Sequence, residues 1–146
     1  MTTKIKFTKV NPNATVPVRG SKFSAGYDLS ACVDRKVIIP PHSTVKVGTG
    51  LAIEPPKGYW GAIFARSGLA FKLGLRPSNC VGVIDEDYRG EYIVVLHNDT
   101  DTMQYIEPTE RIAQLVFLPY LNCEFEEVES LNETERGSGG FGSTGK

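Results

Sequence analysis

Three carboxylates, a tyrosine and an arginine occupy five consecutive positions, 85–89. Apolar, β-branched runs lie on both sides of this segment, at 80–84 and 92–96. Two such runs joined by a polar segment that ends in glycine predict a β-hairpin. The unusual feature is the concentration of three carboxylates, Asp85, Glu86 and Asp87, at its bend. Asp and Gly are also ordinary turn residues, so this stretch alone leaves a solvated hairpin tip equally open.

A second polar group, Arg66-Ser67-Gly68, follows an apolar run and opens a predicted helical turn. Arginine makes bidentate, charge-assisted contacts with phosphate oxygens, and the serine hydroxyl and glycine N–H can support the same group. The alternative is that Ser67 is the N-cap of the short helix. Two further polar residues are ambiguous alone. Gln114, in an apolar strand, is either edge-exposed or aimed at a site, and Asp28 lies at the start of another strand.

The strands that must position these groups are short and regularly spaced. They recur about every eight to twelve residues with Gly, Pro and Asn between them, which is typical of an all-β sandwich or barrel. Strands are predicted at 4–10, 37–39, 44–47, 51–53, 59–64, 91–96, 103–106, 112–118 and 123–128. One short helical turn is predicted, at 67–72.

Composition restricts the function classes. A chain of 146 residues is long enough for one domain with a hydrophobic core. Its 40% hydrophobic and 23% charged residues are ordinary for a globular protein. A net charge of -1 gives no electrostatic basis for binding nucleic acid or an anionic membrane, and no apolar run approaches the ~20 residues of a membrane span. We therefore expect neither partner.

The cysteines and histidines exclude other classes. The three cysteines are far apart, odd in number and surrounded by apolar residues, which predicts reduced, buried thiols in a cytoplasmic protein. The N-terminus has no signal-peptide apolar region. The two histidines lie near no nucleophile-like Ser or Cys, so His-dependent nucleophilic catalysis and a His-rich metal site have little support.

The chain changes character from residue 131, becoming polar and then glycine-rich over 137–146. This composition predicts a flexible C-terminal arm. The arm matches parts of two phosphate-loop patterns, but both require a preceding strand and a following helix, which we do not expect here. Its glycine N–H groups, with Arg136, Ser143 and Thr144, could still wrap a polyphosphate by ordering upon it. A plain disordered tail is the alternative.

Five segments, taken in order, resemble the trimeric dUTP diphosphatase (dUTPase) family. They are AGYDLS at 25–30, ARSGLA at 65–70, GVIDEDYRGE at 82–91, RIAQL at 111–115 and RGSGGFGSTG at 136–145. The third and fifth segments are very specific, and together the five extend over nearly the whole chain. Two small departures touch no expected chemical role: Ala65 stands where proline is usual, and Thr109 where glycine is common.

The resemblance implies a jelly-roll β-barrel that assembles as a homotrimer with its active sites between subunits. Residues 1–130 would form the barrel domain, and 131–146 would be an arm that closes over the active site of a neighbouring subunit. The reaction would be the Mg²⁺-assisted hydrolysis of dUTP to dUMP and pyrophosphate, with water attacking the α-phosphorus. This activity keeps uracil out of DNA and supplies dUMP for thymidylate synthesis.

The resemblance also implies roles for residues of the 79–88 segment. Asp85 matches the catalytic carboxylate, which orients the attacking water and accepts its proton. Tyr88 matches the ring that packs against the deoxyribose and excludes a 2'-hydroxyl. Uracil would be read by the Asn79 side chain and by backbone groups of Gly82, Val83, Ile84 and Asp85.

Other matched positions concern the phosphates and the metal. Arg66, Ser67, Gly68 and Gln114 match phosphate contacts, and Asp28 matches the carboxylate that holds Mg²⁺ through coordinated water. In the arm, Phe141 would stack on the uracil, and the substrate would further contact Arg136, Gly142, Ser143 and Thr144. Arg89 and Arg111 are conceivable phosphate neighbours, but we interpret them as structural partners of nearby carboxylates.

Two other functions remain as alternatives. A dCTP deaminase or a bifunctional deaminase-diphosphatase shares the fold but needs a glutamate acid-base and an Arg-Ser-Ser motif, whereas Gly68 follows Arg66-Ser67 here. A regulatory protein on the dUTPase fold would bind a partner protein. Such proteins often carry inserts or lose catalytic residues, and this chain has no obvious insert and retains every motif.

Overall fold

The computed structural model describes residues 3–140, which form twelve short β-strands and one helix. The strands are β1 (Phe7–Lys9), β2 (Val18–Arg19), β3 (Tyr27–Ser30), β4 (Val37–Ile39), β5 (Thr44–Gly48), β6 (Leu51–Ile53), β7 (Tyr59–Phe64), β8 (Leu75–Pro77), β9 (Gly82–Ile84), β10 (Ile93–Asn98), β11 (Gln104–Ile106) and β12 (Arg111–Pro119). The helix α1 (Ser67–Leu73) lies between β7 and β8. The predicted all-β class with one short helical segment is confirmed.

The longest strand, β12, is the centre of a five-stranded antiparallel sheet in the order β2-β3-β12-β7-β9. Its side chains Ile112, Ala113 and Leu115 are buried. Gln114 lies opposite Asp28 on β3 and opposite Phe64 on β7. This register brings three of the predicted site segments together, because β7 leads directly into α1.

A second sheet, in the order β5-β10-β8, and two strand pairs, β1-β6 and β4-β11, complete the fold. Fully buried apolar side chains from these elements form one cluster, which includes Leu29, Leu51, Leu96, Ile106 and Leu115. Each such side chain stabilises the fold by about 1.5–3 kcal/mol on removal from water. This core fixes the strand ends, and therefore the polar residues that follow them.

The predicted hairpin around residues 85–89 is wrong. The strand before this segment, β9, pairs with β7 at the edge of the five-stranded sheet, whereas the strand after it, β10, pairs with β5 and β8. The segment therefore passes from one sheet to the other instead of turning back on itself. Apolar runs predict a strand but do not specify which strand it pairs with. Here β10 forms a ladder of five residue pairs with β5.

The strand predicted at 123–128 is also absent, since no regular element follows β12 within the described residues. Its apolar residues are exposed: Phe125 is 99% accessible and Val128 is 51% accessible, and Leu121, just before it, is 86% accessible. A strand needs a neighbouring strand edge for its backbone groups, and residues 3–140 offer none to this segment. Large apolar side chains this exposed favour a surface that another chain covers.

Three smaller expectations need correction. Arg66, and not Ser67, is the N-cap of α1, and no side chain caps the helix there. The prediction of three buried thiols is wrong for Cys80 and Cys123, which are exposed, while Cys32 is partly buried. Apolar sequence neighbours did not ensure burial because Cys80 lies on a tight turn with φ of 64° and Cys123 lies in the segment that has no strand partner.

Within residues 3–140, no helix has the length and apolar character needed to cross a membrane.

Candidate active site

The segment that carries Asp85 begins directly after the edge strand β9. Ile84 lies opposite Gly61 of β7, so Asp85 follows beside Trp60. The backbone carbonyl of Asp85 accepts a hydrogen bond from the Tyr88 N–H at 3.1 Å, which closes a turn. The Asp85 side chain is exposed. It is therefore available to solvent and to a ligand.

Hydrogen bonds and an ion pair hold this catalytic-loop candidate, residues 85–91, in place at its end and in its middle. At one end, Glu91 Oε1 accepts a hydrogen bond from the Gly50 N–H at 2.7 Å. In the middle, the Arg89 guanidinium donates to the backbone carbonyls of Glu86 and Tyr88 at 2.6 and 3.0 Å. It also lies 4.0 Å from the Glu54 carboxylate, as expected for a structural partner. The loop is thus an ordered feature although much of its surface is exposed.

Tyr88 lies over Gly90 and rests against a buried tyrosine. Its hydroxyl donates to the Glu91 carbonyl at 3.1 Å, and its ring centroid is 6.3 Å from that of Tyr92. Tyr92 is fully buried and donates to the Ile53 carbonyl at 2.9 Å. Burial raises the pKa of Tyr92 to about 12, so this side chain stays neutral at physiological pH. A rigid support therefore holds one face of the Tyr88 ring and leaves the rest accessible.

A polar cavity of about 220 Å³ lies at the junction of β3, β12 and the start of α1. Its lining contains the predicted residues Asp28, Arg66, Ser67, Gly68 and Gln114. It also contains Arg111, which we interpreted mainly as the partner of a carboxylate, and three residues that we did not single out, Gly20, Ser24 and Gly26. Gly26 lies inside the quoted AGYDLS segment, but Gly20 and Ser24 precede it, and no sequence pattern marked them.

Two arginines share one carboxylate in this cavity. Arg66 Nε is 2.9 Å from Asp28 Oδ1, and Arg111 Nη1 is 3.0 Å from Asp28 Oδ2. The expected pairing of Arg111 with a nearby carboxylate is confirmed. Two guanidinium groups against one carboxylate leave a local excess of positive charge, and each arginine keeps further N–H donors. The cavity is therefore suited to an anion such as phosphate.

Asp28 is suited to hold a metal ion only indirectly, through a metal-bound water. Both of its oxygens already accept guanidinium hydrogen bonds, and its side chain is 14% exposed. Residues 3–140 contain no cluster of three His, Cys, Asp or Glu side chains that could hold a metal. A carboxylate oxygen retains a second lone pair, which can accept a hydrogen bond from a metal-bound water. The residues present thus fit Mg²⁺ that is held mainly by a ligand's phosphates.

Gln114 points into the polar cavity and is not exposed at a sheet edge, so the second of its two predicted positions is correct. Its Nε2 donates to the Ala65 carbonyl at 2.9 Å. Its Oε1 lies against Gly26, where any side chain would collide with it. Because Gly26 has no side chain, the amide group of Gln114 can occupy its position in the cavity wall.

The predicted uracil-reading residues lie on or next to β9, the strand at one edge of the five-stranded sheet. Asn79 is exposed in the tight turn before β9, where the Val81 N–H donates to the Asn79 carbonyl at 2.7 Å. Gly82, Val83 and Ile84 form β9, which pairs with β7 along one edge. No other strand of the described part of the chain pairs with β9, so backbone groups on that edge are available to a ligand.

The structure does not bring all predicted residues together. Asp85, Tyr88 and Val83 line one small cavity of about 150 Å³, whereas Arg66, Asp28 and Gln114 line the polar cavity. Asp85 lies beside Trp60 near the start of β7, and Arg66 follows the end of β7. At about 3.3 Å per residue, the backbone positions of Trp60 and Arg66 lie up to roughly 20 Å apart along β7 and the two residues after it.

Of the arm residues with proposed roles, Arg136 is described, and its Nε donates a hydrogen bond to the Gly139 carbonyl at 2.9 Å. Phe141, Gly142, Ser143 and Thr144 lie outside the described residues.

Comparison with known proteins gives a consistent family. The dUTPase family model matches residues 12–145. The deoxyuridine 5'-triphosphate nucleotidohydrolase of Nautilia profundicola is 49% identical over 143 residues, covering 98% of this chain and 99% of that protein. The protein of the same name from Desulfitobacterium hafniense is 47% identical over 143 residues, covering 97% of this chain and 95% of that protein.

The fold agrees with that assignment. The solved structure of the Staphylococcus bacteriophage 80alpha dUTPase with dUPNHPP matches with a TM-score of 0.89 at 30% identity, covering 99% of this chain and 100% of that one. This likeness confirms the predicted dUTPase-like, jelly-roll type of β fold. Sequence, fold and family match therefore agree, and the chain belongs to the dUTPase family.

Proposed function

We propose that this protein is a dUTP diphosphatase, which hydrolyses dUTP to dUMP and pyrophosphate. The observation that carries the proposal is the pairing of two features in a chain of this family. One is an exposed carboxylate, Asp85, next to a strand edge that can read a base. The other is a cavity with excess arginine charge that can hold phosphates.

In the proposed reaction, Asp85 accepts a proton from a water molecule while the water oxygen attacks the α-phosphorus. The bond between the α-phosphorus and the oxygen bridging to the β-phosphorus breaks, and pyrophosphate leaves with that electron pair. Arg66, Ser67 and Gln114 would contact the phosphate oxygens and stabilise the charge that develops there. A positioned general base typically contributes about 10²–10⁴-fold to such a step.

Base selection would use the free edge of β9 and Asn79. Uracil presents an acceptor, a donor and an acceptor in sequence, which complements the alternating N–H and C=O groups of an edge strand. Cytosine carries a donor where uracil carries an acceptor. A buried mismatch of this kind leaves polar groups unpaired, and hydrogen-bonding sites can reject such analogues by several orders of magnitude.

Sugar selection would depend on the Tyr88 ring, and Gly90 makes room for it. A methyl group at residue 90 would collide with the Tyr88 ring and hydroxyl. We expect Gly90→Ala to displace the ring and to lower the preference for dUTP over UTP, measured as the ratio of kcat/KM values, by about 10-fold or more. Tyr88→Phe keeps the ring and should keep the preference. An unchanged ratio in Gly90→Ala would contradict the proposed role of Tyr88.

Mg²⁺ fits the proposed site as a partner of the substrate phosphates. When bound, it would neutralise phosphate charge and stabilise the leaving pyrophosphate. Asp28 would hold it through water, because the direct contacts of this carboxylate are with Arg66 and Arg111.

A homotrimer with shared sites is part of the proposal. Asp85 must lie within about one water molecule of the α-phosphate, and Arg66 must contact the same triphosphate, yet in one subunit they line different cavities near opposite ends of β7. We therefore propose that one substrate contacts both features at an interface, with Asp85 from one subunit and the polar cavity from another. The exposed Phe125 and Leu121 after β12 also favour contact with a second copy.

The arm, residues 131–146, is proposed to close over a site of a neighbouring subunit, with residues 1–130 forming the barrel domain. The last regular strand ends at Pro119, and residues 121–138 are exposed. Such a segment is free to reach another subunit, and closure would exclude water and add donors from Arg136 to the phosphates.

Product identification tests the function directly. The protein would be incubated with Mg²⁺ and, separately, with dUTP, UTP, dTTP and dCTP, and the products separated by chromatography. We expect dUMP and pyrophosphate from dUTP alone. Formation of dUTP from dCTP would identify a deaminase, and a folded protein that turns over none of the four would identify a regulatory member of the family.

A further inference from the structure

Three separate segments meet next to Asp85 in an arrangement that we call the Glu86 clamp, formed by Gly58, Glu86 and Tyr120. Glu86 Oε2 accepts hydrogen bonds from the Gly58 N–H at 2.6 Å and from the Tyr120 hydroxyl at 2.8 Å. The Tyr120 N–H donates in turn to the Gly58 carbonyl at 3.2 Å. The three contacts form a closed triangle that joins the β6–β7 turn, the loop after β9 and the residue after β12.

The residue types suit this arrangement. An ionised carboxylate is an acceptor for several donors, and hydrogen bonds to a charged group are about twice as strong as neutral ones. The Gly58 N–H, and then the Tyr120 hydroxyl, lower the pKa of Glu86, so it stays ionised at neutral pH. The same contact raises the pKa of Tyr120, which keeps its hydroxyl a donor. Gly58 has a φ of 79°, which favours glycine.

The clamp acts on the residue that follows Asp85 in the chain. The backbone of Glu86 is also held from the other side, because Arg89 donates to its carbonyl at 2.6 Å. By contrast, the side chains of Asp85 and Asp87 are exposed and make no side-chain hydrogen bond within the described residues. A cavity of about 640 Å³ opens beside them, with Trp60, Asp85 and Tyr120 in its wall. The position of Asp85 in this open region therefore depends on the anchoring of its neighbour.

We propose that Glu86 and Tyr120 are positioning residues for Asp85, and that they hold its carboxylate within hydrogen-bonding distance of the attacking water. This inference rests on the proposed function of Asp85. Tyr120 is the first residue after β12, at the base of the segment that leads to the arm. The clamp therefore also ties the base of that segment to the loop that carries the proposed general base.

The test compares Tyr120→Phe, Glu86→Ala and Glu86→Gln with a matched control. Tyr105→Phe on β11 is that control, because Tyr105 and Tyr120 are both 45% exposed. We expect kcat for dUTP to fall about 10-fold in Tyr120→Phe and about 100-fold in Glu86→Ala, since small misplacements of a catalytic group cost that much. KM should change much less than kcat, because most of the proposed base contacts lie on β9, which is held by its pairing with β7.

Two further results would distinguish positioning from a general structural role. Glu86→Gln should retain more activity than Glu86→Ala, because an amide oxygen can still accept both hydrogen bonds. Adding Tyr120→Phe to Glu86→Ala should cause no further loss, because the two residues act through one contact. Additive losses, or losses confined to KM, would overturn the proposal.

Trp60 gives a readout that does not depend on activity. It is the single tryptophan of the chain and lies in the cavity wall beside Tyr120. Acrylamide quenching of its fluorescence should increase in Tyr120→Phe and Glu86→Ala but not in Tyr105→Phe. If quenching in Tyr120→Phe and Glu86→Ala equals that of the wild type, the clamp does not hold this region in place, whether or not the wild type is active. An inactive wild type would overturn the proposed function alone.

Discussion

Asp85→Asn should lower kcat for dUTP by about 10³-fold or more, while the affinity for dUTP changes by less than a few fold. Asparagine has nearly the shape of aspartate and can still orient a water molecule, but it cannot accept a proton at neutral pH. The side chain is exposed after β9 and is not used in any side-chain hydrogen bond of the described residues, so its replacement should not disturb the fold. Turnover would be followed by pyrophosphate release, and binding by calorimetry with a dUTP analogue whose α–β bridge is an imido group.

Asp87→Asn is the matched control for this experiment. Asp87 is an exposed carboxylate of the same loop, two residues away. Its replacement removes the same charge and should leave kcat within about threefold, because screened surface charges act weakly at a distance. Equal losses in the two variants would show that the charge of the loop matters and not the position of Asp85. Near-normal turnover in Asp85→Asn would remove Asp85 from the mechanism.

Mixing two inactive variants should restore activity, which is the second large effect. Asp85→Asn and Arg66→Ala would each be inactive alone, the second because the polar cavity loses one of its two arginines. In mixed trimers, a site can combine Asp85 from one subunit with Arg66 from another. With random assembly of equal amounts, about a quarter of the sites receive both intact residues, so roughly a quarter of wild-type activity should return.

The control for the mixing experiment is an Asp85→Asn subunit combined with the double variant Asp85→Asn/Arg66→Ala. This mixture contains no intact Asp85 and should stay inactive. Variants would be unfolded together, refolded and assayed, with the trimer checked by sedimentation. Absence of recovery in the first mixture, from trimers of the correct mass, would place Asp85 and Arg66 in the same site of one subunit. That result would contradict the proposed sharing of one site between subunits.

Local sequence patterns predicted much of the secondary structure. The strands at 37–39, 51–53 and 59–64 have the predicted bounds, and the helical turn begins at Ser67 as expected. These elements depend on side chains a few residues apart, through alternation in strands and the run of helix formers between Arg66 and Gly74. The residues that carry the family resemblance are likewise a property of the chain alone.

The pairing of strands was not predicted correctly, because the alternation of side chains along a strand does not specify which strand it pairs with. The apolar runs on both sides of residues 85–89 predicted a hairpin, yet β9 and β10 belong to different sheets. The alternation at 123–128 suggested a strand, yet no edge within the described residues pairs with it. In both cases the long-range ladder, and not the local pattern, determines the outcome.

The chemistry of the site divides in the same way. Residue types marked Arg66 as a candidate phosphate ligand but left the carboxylates at 85–87 open between a functional segment and a turn; only the family resemblance singled out Asp85 as the base. Tertiary structure aimed Gln114 into the cavity, because β12 lies between β3 and β7, and placed Asp28 between two arginines. It also joined Glu86 to Tyr120, which are 34 residues apart. Contacts between residues so distant in sequence depend on how the sheets pack, so they emerge only when the whole core has formed.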